Sequence, residues 1–167
     1  MCLLCNYQPA VELCKKGLGQ DYNNSIMHLT KVQKIKIENV GKKYNLKLIL
    51  LHGSYAKGSH KSESDLDIAY LGNKPDDLQT YLGIYSELED IFGCNSKREL
   101  DIKSLHKADP LFCYQVAKFS QLLFGNLQDY NEFRAYAFRI YNDAKDLFIL
   151  EKLLVLKYQK YLDKKYA

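Results

Sequence analysis

The sequence predicts an α/β or α+β sheet domain, and three observations carry that expectation. Short β-rich runs bounded by turn formers alternate with amphipathic helical stretches. The chain has 167 residues and 47% hydrophobic content, enough for one core and little room for a second. A last stretch keeps helical spacing almost to the end.

Residues 1 to about 27 lack clean periodicity and are rich in turn formers, so they read as a loose extension before a domain spanning 28–167. Cys2, Cys5 and Cys14 offer three zinc ligands without a well-placed fourth, so structural zinc is not expected. From Thr30 to Tyr44 a helix is favoured, with Val32, Ile35, Val40 and Tyr44 as its apolar stripe. "LKLILLH" (46 to 52) and "DLDIAYL" (65 to 71) read as strands bounded by Gly53 and by "GNKP". "DDLQTYLGIYSELEDIF" (76 to 92) reads as a helix whose stripe is Leu78, Leu82, Tyr85, Leu88 and Phe92, with acids in its first turn where the helix dipole favours them.

"RELDIKSL" (98 to 105) alternates as a third strand, and "ADPLFCYQVAKFS" (108 to 120) opens a helix with an acid and a proline. "QLLFG" (121 to 125) is a short fourth strand. A helix over about 127–165 follows, roughly 50 Å long from Tyr130 at 1.5 Å per residue, so it projects beyond a small domain. Its tyrosines at 130, 136, 141, 158, 161 and 166 suit either an interface or packing on the domain's own sheet.

The five cysteines are odd in number and irregularly spaced, and no secretory leader is evident, so a reducing cytoplasm is the expected home. No apolar run is long enough for a membrane-spanning helix, and a membrane partner is not expected. The net charge of +4 is spread along the chain: it suits an anionic ligand without indicating nucleic acid.

The chemistry concentrates in "LHGSYAKGSHKSESDLDIAYL" (51 to 71). Strand alternation puts Asp65 and Asp67 on one face, where two carboxylates repel unless a cation joins them, and their hard oxygens suit Mg²⁺ or Mn²⁺. Gly53 and Ser54 follow a strand directly, so a turn into a short helix would aim N–H groups and the Ser54 hydroxyl at a phosphate. Gly58 lets the backbone approach the ligand. Lys57 belongs either to the β- or γ-phosphate or to solvent, and Ser64 completes the expected nucleotide-binding set. His60, Lys61, Ser62 and Glu63 read as loop surface. Asp101 is the candidate third acid, able to orient or deprotonate an attacking hydroxyl; Glu99 shares its face but begins the strand.

Strand, Gly-Ser, ten residues, Asp-x-Asp and then an acid in a third strand points to phosphoryl-transfer machinery. On these residues the chain resembles the DNA polymerase β-like nucleotidyltransferase superfamily, and most closely its minimal nucleotidyltransferase (MNT) family. That family includes the MntA-type antitoxins encoded beside HEPN-domain toxins. The resemblance implies the family's α+β fold, a small mixed sheet flanked by helices with a long C-terminal helix added. It also implies a metal triad of Asp65, Asp67 and Asp101, phosphates at Ser54, ATP as substrate and Mg²⁺ as cofactor. The implied reaction is AMP transfer to a hydroxyl, a tyrosine of the HEPN toxin. The alternatives are transfer to a small molecule such as an aminoglycoside, at a cleft formed by self-association through the last helix, and an antitoxin that blocks its partner sterically.

Overall fold

A computed structural model describes residue 27 and residues 29–61, 63–93 and 99–166. The expected extension, except Met27, lies outside the described residues, as do Cys2, Cys5, Cys14 and Cys94. The elements are α1 (Lys31–Lys43), β1 (Leu46–His52), α2 (Gly53–Lys57), β2 (Leu66–Gly72), α3 (Leu78–Phe92), β3 (Leu100–Ser104), α4 (Pro110–Phe119), β4 (Gln121–Phe124) and α5 (Leu127–Tyr166). All four expected strands are present within two residues of the spans read from the sequence.

The strands form one mixed sheet in the order β3-β2-β1-β4. β1 runs antiparallel to both neighbours, whereas β2 and β3 are parallel and are joined through α3, as parallel neighbours require a crossover. Helices cover both faces. On one, α1 and α3 bury Ile37, Val40, Ile84 and Leu88 against Ile49, Leu51, Ile68 and Tyr70. On the other, α4 and the start of α5 bury Cys113, Val116, Phe133 and Ala137 against Leu48, Leu50 and Ala69. Burial on both sides explains why β1 is continuously apolar from Leu48 to Leu51.

α1 starts at a capping box: the Thr30 hydroxyl accepts from Gln33 N–H at 3.2 Å, and Gln33 Oε1 accepts from Thr30 N–H at 3.0 Å. Its buried stripe differs from the expected one. Val32 and Ile35 are 63% and 59% exposed, whereas Val40 is buried as expected and Ile37 and Gly41 join it. Gly41 accounts for the rotation, because a Cβ there would overlap the Phe124 ring, so only this face can approach the sheet so closely.

α3 shows the same correction. Leu78 and Leu82 face solvent, while Leu88 and Phe92 are buried as expected and Ile84 joins them. Its apolar residues surround much of the circumference, so spacing alone leaves the inward face undetermined. Nor do the acids form its first turn. Asp77 caps the helix, accepting from Thr80 N–H at 2.8 Å, and Asp76 accepts from Tyr70 Oη at 2.5 Å and from Ser104 Oγ at 2.9 Å. At α4, Asp109 is the cap and Pro110 the first helical residue, as the sequence indicated.

α5 has 40 residues, about 60 Å at the usual rise. Among the described residues, its beginning is what anchors it. Phe133 and Ala137 are buried, Tyr130 Oη donates to Ser120 O at 3.0 Å, and Tyr141 stacks on Tyr114 with centroids 4.3 Å apart. Tyr136, Tyr158, Tyr161 and Tyr166 are exposed, whereas Tyr130 and Tyr141 pack on the domain.

Candidate active site

The site lies at the sheet edge where β1 ends and the parallel pair β2 and β3 begins. Register aligns three side chains there: His52 faces Asp67 across the antiparallel pair, and Asp67 faces Asp101 across the parallel pair. All three project from the α4 side of the sheet, since each alternates with residues of that core. Asp65, two residues before Asp67, shares the face, and its Oδ1 accepts from Glu99 N–H at 3.3 Å.

Gly53 joins this row to the turn into α2. Its φ is +70°, in the left-handed region that favours glycine, and a Cβ there would overlap the Asp67 carboxylate. The Gly-Ser turn and the central aspartate are therefore in direct apposition. Gly58, at φ +67°, ends α2 with its N–H donating to the Ser54 and Tyr55 carbonyls. Its role in the structure is a left-handed cap. Lys57 lies 4.7 Å from the Phe119 ring centroid, and the Ser64 hydroxyl accepts from Lys61 N–H at 2.8 Å within the loop. His60 stacks on Tyr55, with centroids 4.2 Å apart.

The electrostatics show crowding of like charge. Burial raises the pKa of Asp67, and Asp101 and Asp65 raise it further while Lys103 opposes them. The Lys103 ammonium pairs with Asp101 Oδ2 at 2.7 Å. With side-chain exposures of 53% and 43%, that pair is screened by solvent and contributes little stability, so another cation can replace it. Among the described residues, no group of three or more His, Cys, Asp or Glu side chains is gathered closely enough to hold a metal ion. Asp65 and Asp101 are turned to Glu99 N–H and to Lys103. The donor set itself, carboxylate oxygens around a crowded central acid, fits a hard divalent cation.

Two residues here carry more than the sequence reading gave them. Burial pushes the His52 imidazole down to about 4, its Nε2 has no hydrogen-bond partner in the structure, and its ring meets Phe112 edge-on at 5.4 Å. Alternation from Leu48 and Leu50 was the available signal, because it puts the strand's last residue on the aspartate face. Lys103 lies two residues after Asp101 on the same strand face, and its pairing with that acid is not evident from the sequence.

This fold and this site define a polymerase β-type nucleotidyltransferase. Residues 35–129 match the family described as polymerase beta, nucleotidyltransferase, and the chain belongs to that family. More particularly, it is similar to the protein adenylyltransferase MntA of Shewanella oneidensis, with 31% identity over 100 residues. That match takes in 59% of this chain and spans 66% of the relative's length. A solved structure described as a toxin-antitoxin with AMP-PNP aligns at a TM-score of 0.59 and 26% identity, over 72% of this chain and 98% of that one. A tri-AMPylated Shewanella oneidensis HEPN toxin in complex with MNT antitoxin shares the fold, at a TM-score of 0.56 and 23% identity over 75% of this chain and 99% of that one. Among the described residues, no helix is long and apolar enough to cross a membrane.

Proposed function

We propose that this chain is a Mg²⁺-dependent adenylyltransferase that moves AMP from ATP onto a tyrosine hydroxyl of a partner HEPN toxin, and so acts as its antitoxin. The observation that carries the reading is the apposition of Gly53 to Asp67, with Asp101 next in register. A phosphate-binding turn, an acidic pair and a third acid thereby meet at one sheet edge. The similarity to a protein adenylyltransferase supports the type of reaction, and the toxin-antitoxin structure with AMP-PNP supports the donor and the kind of partner.

Asp65, Asp67 and Asp101 would hold the cation, with Mn²⁺ satisfied by the same oxygen donors. When bound, it would neutralise charge on the triphosphate and on the transferring phosphoryl group. The Ser54 hydroxyl and the N–H groups of the turn at Gly53 bind phosphate oxygens and fix the α-phosphorus. Lys57 and Ser64 remain candidates for further nucleotide contacts, and Gly58 shapes the loop between them. Asp101 orients the acceptor hydroxyl and takes its proton as the oxygen attacks the α-phosphorus; the bond to the β-phosphate oxygen breaks and pyrophosphate leaves.

The test incubates the protein with the product of the adjacent gene, Mg²⁺ and each nucleoside triphosphate in turn, followed by intact mass measurement. The expected result is a partner heavier by one or more AMP units with ATP alone. A complex that forms without any mass change, and persists with Asp65→Asn, would replace enzymatic silencing by steric block. Pyrophosphate release with small acceptors and no partner binding would move the acceptor class instead.

A further inference from the structure

Beyond the anchored beginning of α5, its last two dozen residues carry an apolar strip that no described residue covers. Stepping alternately by four and three residues, Leu147, Glu151, Leu154, Tyr158, Tyr161 and Lys165 fall in one line along the helix. All six are exposed, Leu154 at 56% and Tyr158 at 63%. Leu150, Val155 and Leu162 flank the line. Such a 3.5-residue line, apolar except at two positions, is the seam by which one helix packs along another.

The two exceptions have opposite charge. Glu151 forms no ion pair among the described residues, and Lys165 lies over the Tyr161 and Tyr166 rings at 5.8 and 5.3 Å. They stand at equal distances on either side of Tyr158. We infer that this segment of α5 pairs with the same segment of a second copy of the chain, antiparallel and about a two-fold axis at Tyr158. In that register Glu151 stands level with Lys165 of the second copy, twice by symmetry. Leu154 stands level with Leu162, Val155 with Tyr161 and Leu150 with Tyr166. A residue that meets its complement in this way makes an isologous, closed interface.

The charges select this arrangement over its competitors. Parallel pairing would set Glu151 beside Glu151 and Lys165 beside Lys165, two like-charge contacts. An antiparallel slip of one turn that sets Glu151 level with Tyr161 also sets Lys165 level with Leu147, which costs the charges their hydration without return. The overlap runs from residue 150 to residue 166, about 25 Å of helix. The paired segment begins at residue 150, beyond the anchored start of α5, and includes no residue of the sheet edge at Gly53 and Asp67.

The experiment is sedimentation equilibrium on the full chain across a wide concentration range, with circular dichroism to establish that each variant keeps its helix. The native chain is expected to sediment as a monomer–dimer system. Glu151→Lys and Lys165→Glu should each weaken dimerisation at least about tenfold, since each substitution turns two favourable contacts into repulsions. The double swap carrying both substitutions should restore dimerisation to within about threefold of native. Recovery in the swap is the signature, since a merely sticky helix would show none. A native chain that stays monomeric, or a swap no tighter than the single variants, overturns the inference. So does a native dimer dissociated by the adjacent gene product in a complex that Leu154→Asp abolishes, because the strip would then belong to that partner.

Discussion

The sheet edge and the far half of α5 are opposite ways of placing functional side chains. At the edge, His52, Asp67 and Asp101 are held on three neighbouring strands whose register is buttressed by cores on both faces. Along α5 from Leu147 onward, large apolar side chains are left exposed by the described residues. The edge tolerates like charges crowded together because a fold several times its size holds them there. The helix can afford bare leucines only if something else covers them. One region has its energy stored in the fold, and the other is where the proposed association would draw on it.

Substitutions at the edge should therefore alter chemistry or stability sharply, and those on the distal helix should leave the folded domain almost untouched. After Asp67→Asn, the largest effect is expected from Asp101→Asn, which removes the group proposed to take the acceptor proton. AMP transfer should fall by about a thousandfold, with ATP binding retained, as measured by single-turnover kinetics beside equilibrium dialysis.

His52→Phe tests the buried imidazole through pH. Because the folded-state pKa is depressed to about 4 from the ordinary 6.5, the unfolded chain binds more protons between those values, and stability is lost as pH falls through that window. The native protein should lose up to about 3 kcal/mol more than His52→Phe between pH 7 and pH 4, by denaturant titration at each pH. Parallel curves for the two proteins would show that His52 is solvated after all.

Gly53→Ala should lower transfer by about a hundredfold, because its methyl group displaces the Asp67 carboxylate as well as straining a left-handed turn. The smallest effect belongs to the other region. Leu156→Ala should change the unfolding free energy by less than about 0.5 kcal/mol at low protein concentration, while Phe133→Ala on the same helix costs several kcal/mol. A large loss from Leu156→Ala would mean that the distal helix is packed within its own chain.

Those contrasts also separate what the amino-acid order revealed from what it did not. The four strands and the pair Asp65 and Asp67 were legible because alternation is a local property of two or three residues. Asp101 could be chosen for the same reason. The row from His52 through Asp67 to Asp101 was not legible, because register between strands distant in sequence is set by packing. The inward faces of α1 and α3 were legible only in part, at Val40, Leu88 and Phe92, for a related cause. Val32, Ile35, Leu78 and Leu82 satisfy helical spacing as well as the residues that are buried, and the choice falls to the close approach of Gly41 to Phe124 and to the shape of the sheet. For α5, helical spacing was plain throughout, yet spacing cannot say where the domain beneath it ends.

The central claim is that the crowded aspartate beside Gly53 serves catalysis at the expense of stability, and Asp67→Asn tests it most directly. Burial and two neighbouring carboxylates raise the pKa of Asp67, so its ionised form is disfavoured in the fold and a neutral amide relieves that cost. AMP incorporation into the partner, read by intact mass on a variant whose thermal midpoint is measured in parallel, should vanish while the midpoint stays level or rises. A variant that still modifies the partner at the native rate would contradict the account.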